Sequence, residues 1–174
     1  MPEPPDTPCL WELARATGLD VNSHYAYAMW SEYFADTSLV VEVVEAVDGD
    51  ARREGDALAG FVLGFRPPRA ADTLFVWQVA VADLWRGHGL ATAMIDHLVA
   101  RAATPYVEAT VNPSNTASAT LFRGLGRHDP ERIEERLAFA EELFPEGHEA
   151  EIRFRVHVGA RPPDPPAPPR PRQD

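Results

Sequence analysis

From Val79 to Thr92 the chain reads Val-Ala-Val-Ala-Asp-Leu-Trp-Arg-Gly-His-Gly-Leu-Ala-Thr, an apolar run that crosses a short glycine loop into helix-forming residues. A strand-to-helix junction of this kind presents unpaired backbone N–H groups and the positive end of a helix dipole, which together suit a pyrophosphate. Glycine at position 89 lets the backbone approach the phosphates closely, where a side chain would obstruct them. Two common phosphate binders are excluded. The dinucleotide fingerprint needs a third glycine where Thr92 stands, and the nucleoside triphosphate loop needs a lysine in a chain that has none. What fits is R-x-x-G-x-A, from Arg86 through Gly87, His88, Gly89 and Leu90 to Ala91. A second chemical group stands further on. Glu108 lies among Val107, Ala109, Thr110 and Val111, and a carboxylate on a partly buried strand is costly unless it is used or paired. It is therefore either a proton acceptor or the partner of an arginine at the sheet edge. His24, His97, His128 and His157 show no metal-ligand spacing and read as structural, so no metal is expected.

These groups need elements to hold them. Leu10 to Ala14 fits a strand or the first turn of a helix equally well. Cap-type residues from Asp20 to Ser23 precede His24 to Phe34, where Tyr27, Trp30 and Phe34 recur at helical spacing. Thr37 to Val47 and Ala57 to Phe65 read as strands of a hairpin around the charged turn Asp48 to Asp56, and Thr73 to Val81 as a third strand, almost wholly apolar. Leu90, Met94, Ile95 and Leu98 fall on one face, which predicts a helix from Gly89 to Ala102. With a strand from Tyr106 to Val111 this makes a right-handed βαβ unit, so the strands on either side of the helix run parallel. Asn112 and Pro113 supply a cap and a first-turn proline for a helix through Leu121 and Leu125, and Glu131 to Leu143 also reads as helix. Ala150 to Val158 alternates Ile152, Phe154 and Val156 with charged residues, as a half-buried strand does.

At 174 residues the chain fits one α/β domain. Of 17 prolines, four lie within residues 1–8 and seven between Pro162 and Pro171. The expected organisation is therefore a loose tail over residues 1–8, a folded domain over 9–158 and a second tail over 159–174. The net charge of −11 disfavours nucleic acid and anionic membrane as partners and favours a cationic substrate. A single Cys9, no secretion signal and no long apolar span point to a cytoplasmic protein.

R-x-x-G-x-A after a buried strand resembles the signature of the GNAT superfamily of acetyl-CoA-dependent N-acetyltransferases. Asn115-x-x-Ser118-x-x-Leu121-Phe122 is similar to that family's downstream helix pattern, in which the Asn contacts CoA and a final Tyr often protonates the leaving thiolate. Phe122 replaces that Tyr and removes the usual acid. Longer strings resemble one branch, the L-2,4-diaminobutyrate N-acetyltransferases of ectoine biosynthesis. They include Leu19-Asp20-Val21-Asn22-Ser23, Phe34-Ala35-Asp36-Thr37-Ser38, Phe75-Val76-Trp77-Gln78, Val107-Glu108-Ala109-Thr110-Val111 and Leu143-Phe144-Pro145 leading to His148-Glu149.

The resemblance implies a single GNAT domain with a mixed, mostly antiparallel sheet, splayed at the cofactor site and carrying helices on both faces. It implies acetyl-CoA as co-substrate, bound by Val79 and Val81, by the loop and helix start Arg86, Gly87, His88, Gly89, Leu90, Ala91 and Thr92, and by Asn115. A backbone N–H near Val79 is the expected oxyanion donor. The diamino acid is expected to meet Asp20, Asn22, Ser23, Tyr25, Asp36, Trp77 and His148, with Glu108 as base and a homodimer as the assembly. Four of these have a plainer alternative: His148 as a surface group beside Glu146 and Glu149, Asp20 and Asp36 as cap or turn formers, Trp77 as core. A GNAT enzyme for another diamine or a peptide amine, and a non-catalytic acetyl-CoA-binding module, stay open.

Overall fold

The computed structural model describes residues 1–43, 58–127 and 129–159. Its elements are α1 (Thr7–Ala16), α2 (His24–Tyr33), β1 (Leu39–Glu42), β2 (Leu58–Phe65), β3 (Thr73–Val81), α3 (Leu90–Ala102), β4 (Tyr106–Val111), α4 (Thr116–Leu125), β5 (Ile133–Phe139) and β6 (Glu151–His157). The six strands form one sheet in the order β1-β2-β3-β4-β6-β5. Only β3 and β4 run parallel, as a βαβ unit requires.

Helices cover both faces. Met94, Ile95 and Leu98 of α3 and Phe122 and Leu125 of α4 pack with Leu74, Val76, Val107, Ala109 and Phe154 on one side. On the other, Leu10 and Leu13 of α1 and Tyr27 of α2 pack with Phe61, Leu63 and Ala80. An extra residue in β3 lets that strand serve both cores. Leu63 stands opposite Gln78 and Gly64 opposite Val76, so Trp77 is a β-bulge. Past it the alternation changes phase: Val76 and Val79, three apart, both pack toward α3 and α4, while Trp77 and Ala80 pack toward α1 and α2. Gly64 faces the bulge because a Cβ there would lie 2.7 Å from the Phe75 carbonyl oxygen.

Several expectations are corrected here. Leu10 to Ala14 is helical, inside α1. The first residues, expected to be loose, form a short 3-10 turn at Pro4–Asp6 that leads straight into α1, with Pro2 buried. The cap of α4 is Asn115, whose Oδ1 accepts the Ser118 N–H at 3.0 Å, so Asn112 and Pro113 precede the helix instead of starting it. Glu131 to Leu143 is not a helix. It contains β5, flanked by short 3-10 turns, because Ile133 to Phe139 pairs along β6 and this cross-strand pairing outweighs the helix propensity of Glu, Arg, Leu and Ala. The turn Asp48 to Asp56, the remainder of the predicted strand Thr37 to Val47 beyond residue 43, His128 and the tail beyond Gly159 lie outside the described residues.

Candidate active site

Strands β3 and β4 are paired only from Thr73 opposite Tyr106 to Phe75 opposite Glu108, and then they part. The fork opens a cavity of about 370 Å³. Its walls are Val76 to Val79 of β3, Ala109 to Asn112 at the end of β4, Asn115, Ser118 and Phe122 of α4, Glu151 at the start of β6, and Gly18 to Asp20 with Asn22 from the turn between α1 and α2.

The edge of β3 beside the fork has main-chain groups to offer. Ala82 N–H donates to Ala59 C=O on the β2 side, so by strand alternation the N–H and C=O of Val81 and Val79 point the other way, toward the fork. Arg86 uses this edge: its Nε donates to the Val81 carbonyl at 3.2 Å while Nη1 pairs with Asp83 at 3.1 Å, which folds the loop back onto the strand end. Gly87 and Gly89 have φ of +78° and +75°, in the left-handed region that glycine occupies without strain. A Cβ at either would meet nothing within 4 Å, so both glycines border open space. Gly89 caps α3, leaving the N–H groups of Leu90, Ala91 and Thr92 without intrahelical partners. His88 is exposed, its Nδ1 2.9 Å from the Arg86 carbonyl oxygen. This cradle of N–H groups over glycine fits the pyrophosphate of CoA, and the β3 edge at Val79 and at the Val81 N–H fits its pantetheine amides.

Of the residues expected at the amine, Asp20, Asn22 and Trp77 line the cavity. A buried relay holds their turn: Tyr27 Oη donates to Gln78 Oε1 at 3.1 Å, and Gln78 Nε2 donates to the Asp20 carbonyl at 2.8 Å. Burial pushes the Tyr27 phenol above its ordinary range, keeping it a neutral donor. Trp77 stacks on Trp30 with centroids 3.9 Å apart, which fixes the indole at the cavity wall. His148 stacks on Phe144 and stands behind Glu151, with Nε2 3.9 Å from Oε1. Ser23, Tyr25 and Asp36 are not brought together with this group. Ser23 caps α2 through the Ala26 N–H at 3.3 Å, Tyr25 is 75 % exposed, and the Asp36 carbonyl accepts Arg101 Nε at 3.0 Å.

Glu108 is buried but takes the other branch of its sequence reading. Its Oε1 accepts Arg155 Nη1 at 2.7 Å, and Arg155 also reaches Asp72 at 3.8 Å and covers the Tyr106 ring at 4.1 Å. It lies where β3 and β4 are still paired, outside the cavity lining. Glu108→Gln is thus expected to lower stability by about 1–3 kcal/mol, through a weakened charge-assisted bond, and to leave kcat within about threefold. Chemical denaturation and steady-state kinetics of one preparation check both halves.

Sequence reasoning missed Glu151, Gln78, Thr110 and Asn112. Glu151 Oε1 accepts Asn112 Nδ2 at 3.0 Å, which turns the carboxylate toward the cavity. Its sequence signal resembles that of the charged Arg153 and Arg155 on the same strand, so nothing singled it out. Phe122 is buried at the α4 wall and brings no proton to the site. Among the described residues no cluster suited to a metal ion occurs, and no helix is long and apolar enough to cross a membrane.

Comparison with known proteins agrees with this geometry. The acetyltransferase (GNAT) family matches residues 8–126. The L-2,4-diaminobutyric acid acetyltransferase of Shouchella clausii is 43 % identical over 155 residues, covering 87 % of this chain and 81 % of that protein. The enzyme of the same name from Streptomyces coelicolor is 38 % identical over 162 residues, covering 89 % of each. Among solved structures, the diaminobutyrate acetyltransferase of Paenibacillus lautus, in complex with L-2,4-diaminobutyric acid and coenzyme A, superposes with a TM-score of 0.73 at 39 % identity, over 90 % of this chain and 92 % of that one. A cradle for CoA beside a carboxylate-lined fork, and identity of this extent along nearly the whole domain, place this chain in the GNAT acetyltransferase family and, within it, among the L-2,4-diaminobutyric acid acetyltransferases.

Proposed function

We propose that this protein transfers the acetyl group of acetyl-CoA to the γ-amine of L-2,4-diaminobutyrate, giving the N4-acetyl product that feeds ectoine synthesis. The observation that carries this reading is the fork cavity, which sets two carboxylates, Asp20 and Glu151, and the Trp77 indole beside the unpaired edge of β3. Carboxylates and an aromatic face suit ammonium groups, and a free main-chain edge suits a thioester and its amide-bearing arm.

Glu151 takes a proton from the γ-ammonium, and the neutral amine attacks the thioester carbon. A main-chain N–H at Val79 steadies the oxygen that gains charge. The C–S bond then breaks, and the proton released by the nitrogen ends on the CoA sulfur. No donor is needed from Phe122, since a free thiol ionises near pH 8.5 and its thiolate is a competent leaving group. The net charge of −11 supports small-molecule partners in place of nucleic acid or anionic membrane, and the family resemblance supports a cytoplasmic homodimer.

An amine panel assayed by CoA release tests the substrate. L-2,4-Diaminobutyrate should exceed ornithine and lysine in kcat/KM by about 10²-fold, since each added methylene misplaces the reacting nitrogen by an ångström or more. NMR of the product should correlate the acetyl carbonyl with the γ-methylene protons. Acetylation at the α-nitrogen, or equal turnover of lysine, would rule the reading out.

A further inference from the structure

Three cross-strand rungs between β4 and β6 lie on the face of the sheet turned away from α3 and α4. Glu151, Arg153 and Arg155 alternate along β6 and so share that face, while Ile152, Phe154 and Val156 pack into the core below. Arg155 meets Glu108, Arg153 stands opposite Thr110, and Glu151 meets Asn112. The cavity takes in both members of the last rung and Thr110 of the middle one. Arg153 thus stands opposite a lining residue, Thr110, without itself lining the cavity.

Its guanidinium is incompletely used. Nη2 donates to Glu134 Oε1 at 2.9 Å, but Nε is buried and has no hydrogen-bond partner among the described residues. A buried donor without a partner is costly and calls for an explanation. The hold on Glu134 is also divisible, because Arg136 Nε binds the same Oε1 at 2.8 Å and would keep that carboxylate occupied if Arg153 turned away.

The cavity lining has two carboxylates and no arginine or histidine. A diamino acid at neutral pH carries two ammonium groups and one carboxylate. Asp20 and Glu151 answer the first two, and nothing in the lining carries the positive charge that answers the third. Residues two apart on a strand are roughly 6.6 Å apart. The carboxyl carbon and γ-nitrogen of diaminobutyrate, four bonds apart, span roughly 5 Å when extended. A nitrogen held at Glu151 therefore puts the carboxylate within reach of the next side chain on the same face.

We propose that Arg153 recognises the α-carboxylate of the substrate and makes the enzyme selective for a diamino acid over a plain diamine. This rests on the proposed acetylation of diaminobutyrate and adds the residue that reads the acid end of the molecule. On binding, Arg153 turns toward the Thr110 side of the fork and its guanidinium, including the orphaned Nε–H, meets the carboxylate, while Glu134 stays with Arg136. Arginine suits this role because its planar fork matches a carboxylate.

The test pairs the enzyme and Arg153→Met with two substrates, L-2,4-diaminobutyrate and its decarboxylated counterpart 1,3-diaminopropane. Hydrogen bonds to charged groups of this kind are worth roughly 10- to 100-fold. Arg153→Met should therefore lower kcat/KM for diaminobutyrate by roughly that factor, mainly through KM, and change the value for 1,3-diaminopropane by less than about threefold. Arg153→Lys, which keeps the charge and loses the fork, should fall between. Equal losses on both substrates would make Arg153 a scaffold residue and overturn the assignment. So would a preference for the acid that survives Arg153→Met but is lost in His148→Gln, which would transfer the role to His148. Failure of the unaltered enzyme to acetylate diaminobutyrate while it turns over another amine would instead remove the proposed function itself.

Discussion

Glu151→Gln is expected to lower kcat by about 10²–10⁴, the usual contribution of a positioned general base, with the affinity for acetyl-CoA nearly kept. The substitution preserves the shape of the side chain and its capacity to accept from Asn112, so the fork should stay intact. What is lost is a group able to take the proton from the γ-ammonium. The defect should shrink as pH rises, because more of the free diamine then carries a neutral γ-nitrogen. Steady-state rates between pH 7 and pH 10 resolve this, with Glu108→Gln in parallel. A near-normal kcat for Glu151→Gln at pH 7, or a larger loss for Glu108→Gln, would return the base to the residue that the sequence favoured.

The second large effect is expected at Gly89. Its φ of +75° strains any L residue, at a cost of about 1–2 kcal/mol. Gly89→Ala isolates that strain. Gly89→Glu adds a carboxylate beside the N–H groups that cradle phosphate, and two like charges a few ångströms apart at a protein surface oppose each other by about 4 kcal/mol before salt screening. The dissociation constant for CoA should therefore rise by at least about 10²-fold while that for the amine changes little. Calorimetric titration reads the first number directly, and loss of the thermal protection that CoA confers gives a second, independent reading. Unaltered CoA affinity in a folded Gly89→Glu variant would show the cradle to be misplaced.

Elements whose apolar pattern is dictated by burial were legible from the sequence. The bounds of β3 and β4 agree at Thr73–Val81 and Tyr106–Val111, and α3 begins one residue later than its periodicity suggests. Those strands lie at the centre of the sheet, so their residues answer to packing on both sides. An edge strand is less constrained. The residues of β5 face solvent at most positions, and Glu134, Glu135, Arg136, Leu137 and Ala138 favour a helix when read alone. Only the partner strand, nearly twenty residues on, decides otherwise. The turn into α3 was readable because its left-handed positions, Gly87 and Gly89, demand glycine. Of the residues expected at the amine, Asp20, Asn22 and Trp77 line the fork cavity, whereas Ser23, Tyr25 and Asp36 share their local strings without sharing the cavity. For Glu108, the deciding fact is Arg155, 47 positions away and adjacent only through the β4–β6 register.

Beyond Phe75 the separation of β3 from β4 leaves an unpaired main-chain edge in the interior of the sheet. Unpaired edges are templates on which other chains can add a strand, and folded proteins normally cover or blunt them. Under the proposed function the cover is the pantetheine arm of CoA. A ligand present at a hundredfold excess over its dissociation constant adds about 2.7 kcal/mol to the stability of the native state, and that margin vanishes with the ligand. On that reading, resistance to proteases and self-association should rise with the concentration of CoA thioester supplied, which limited proteolysis with and without CoA measures.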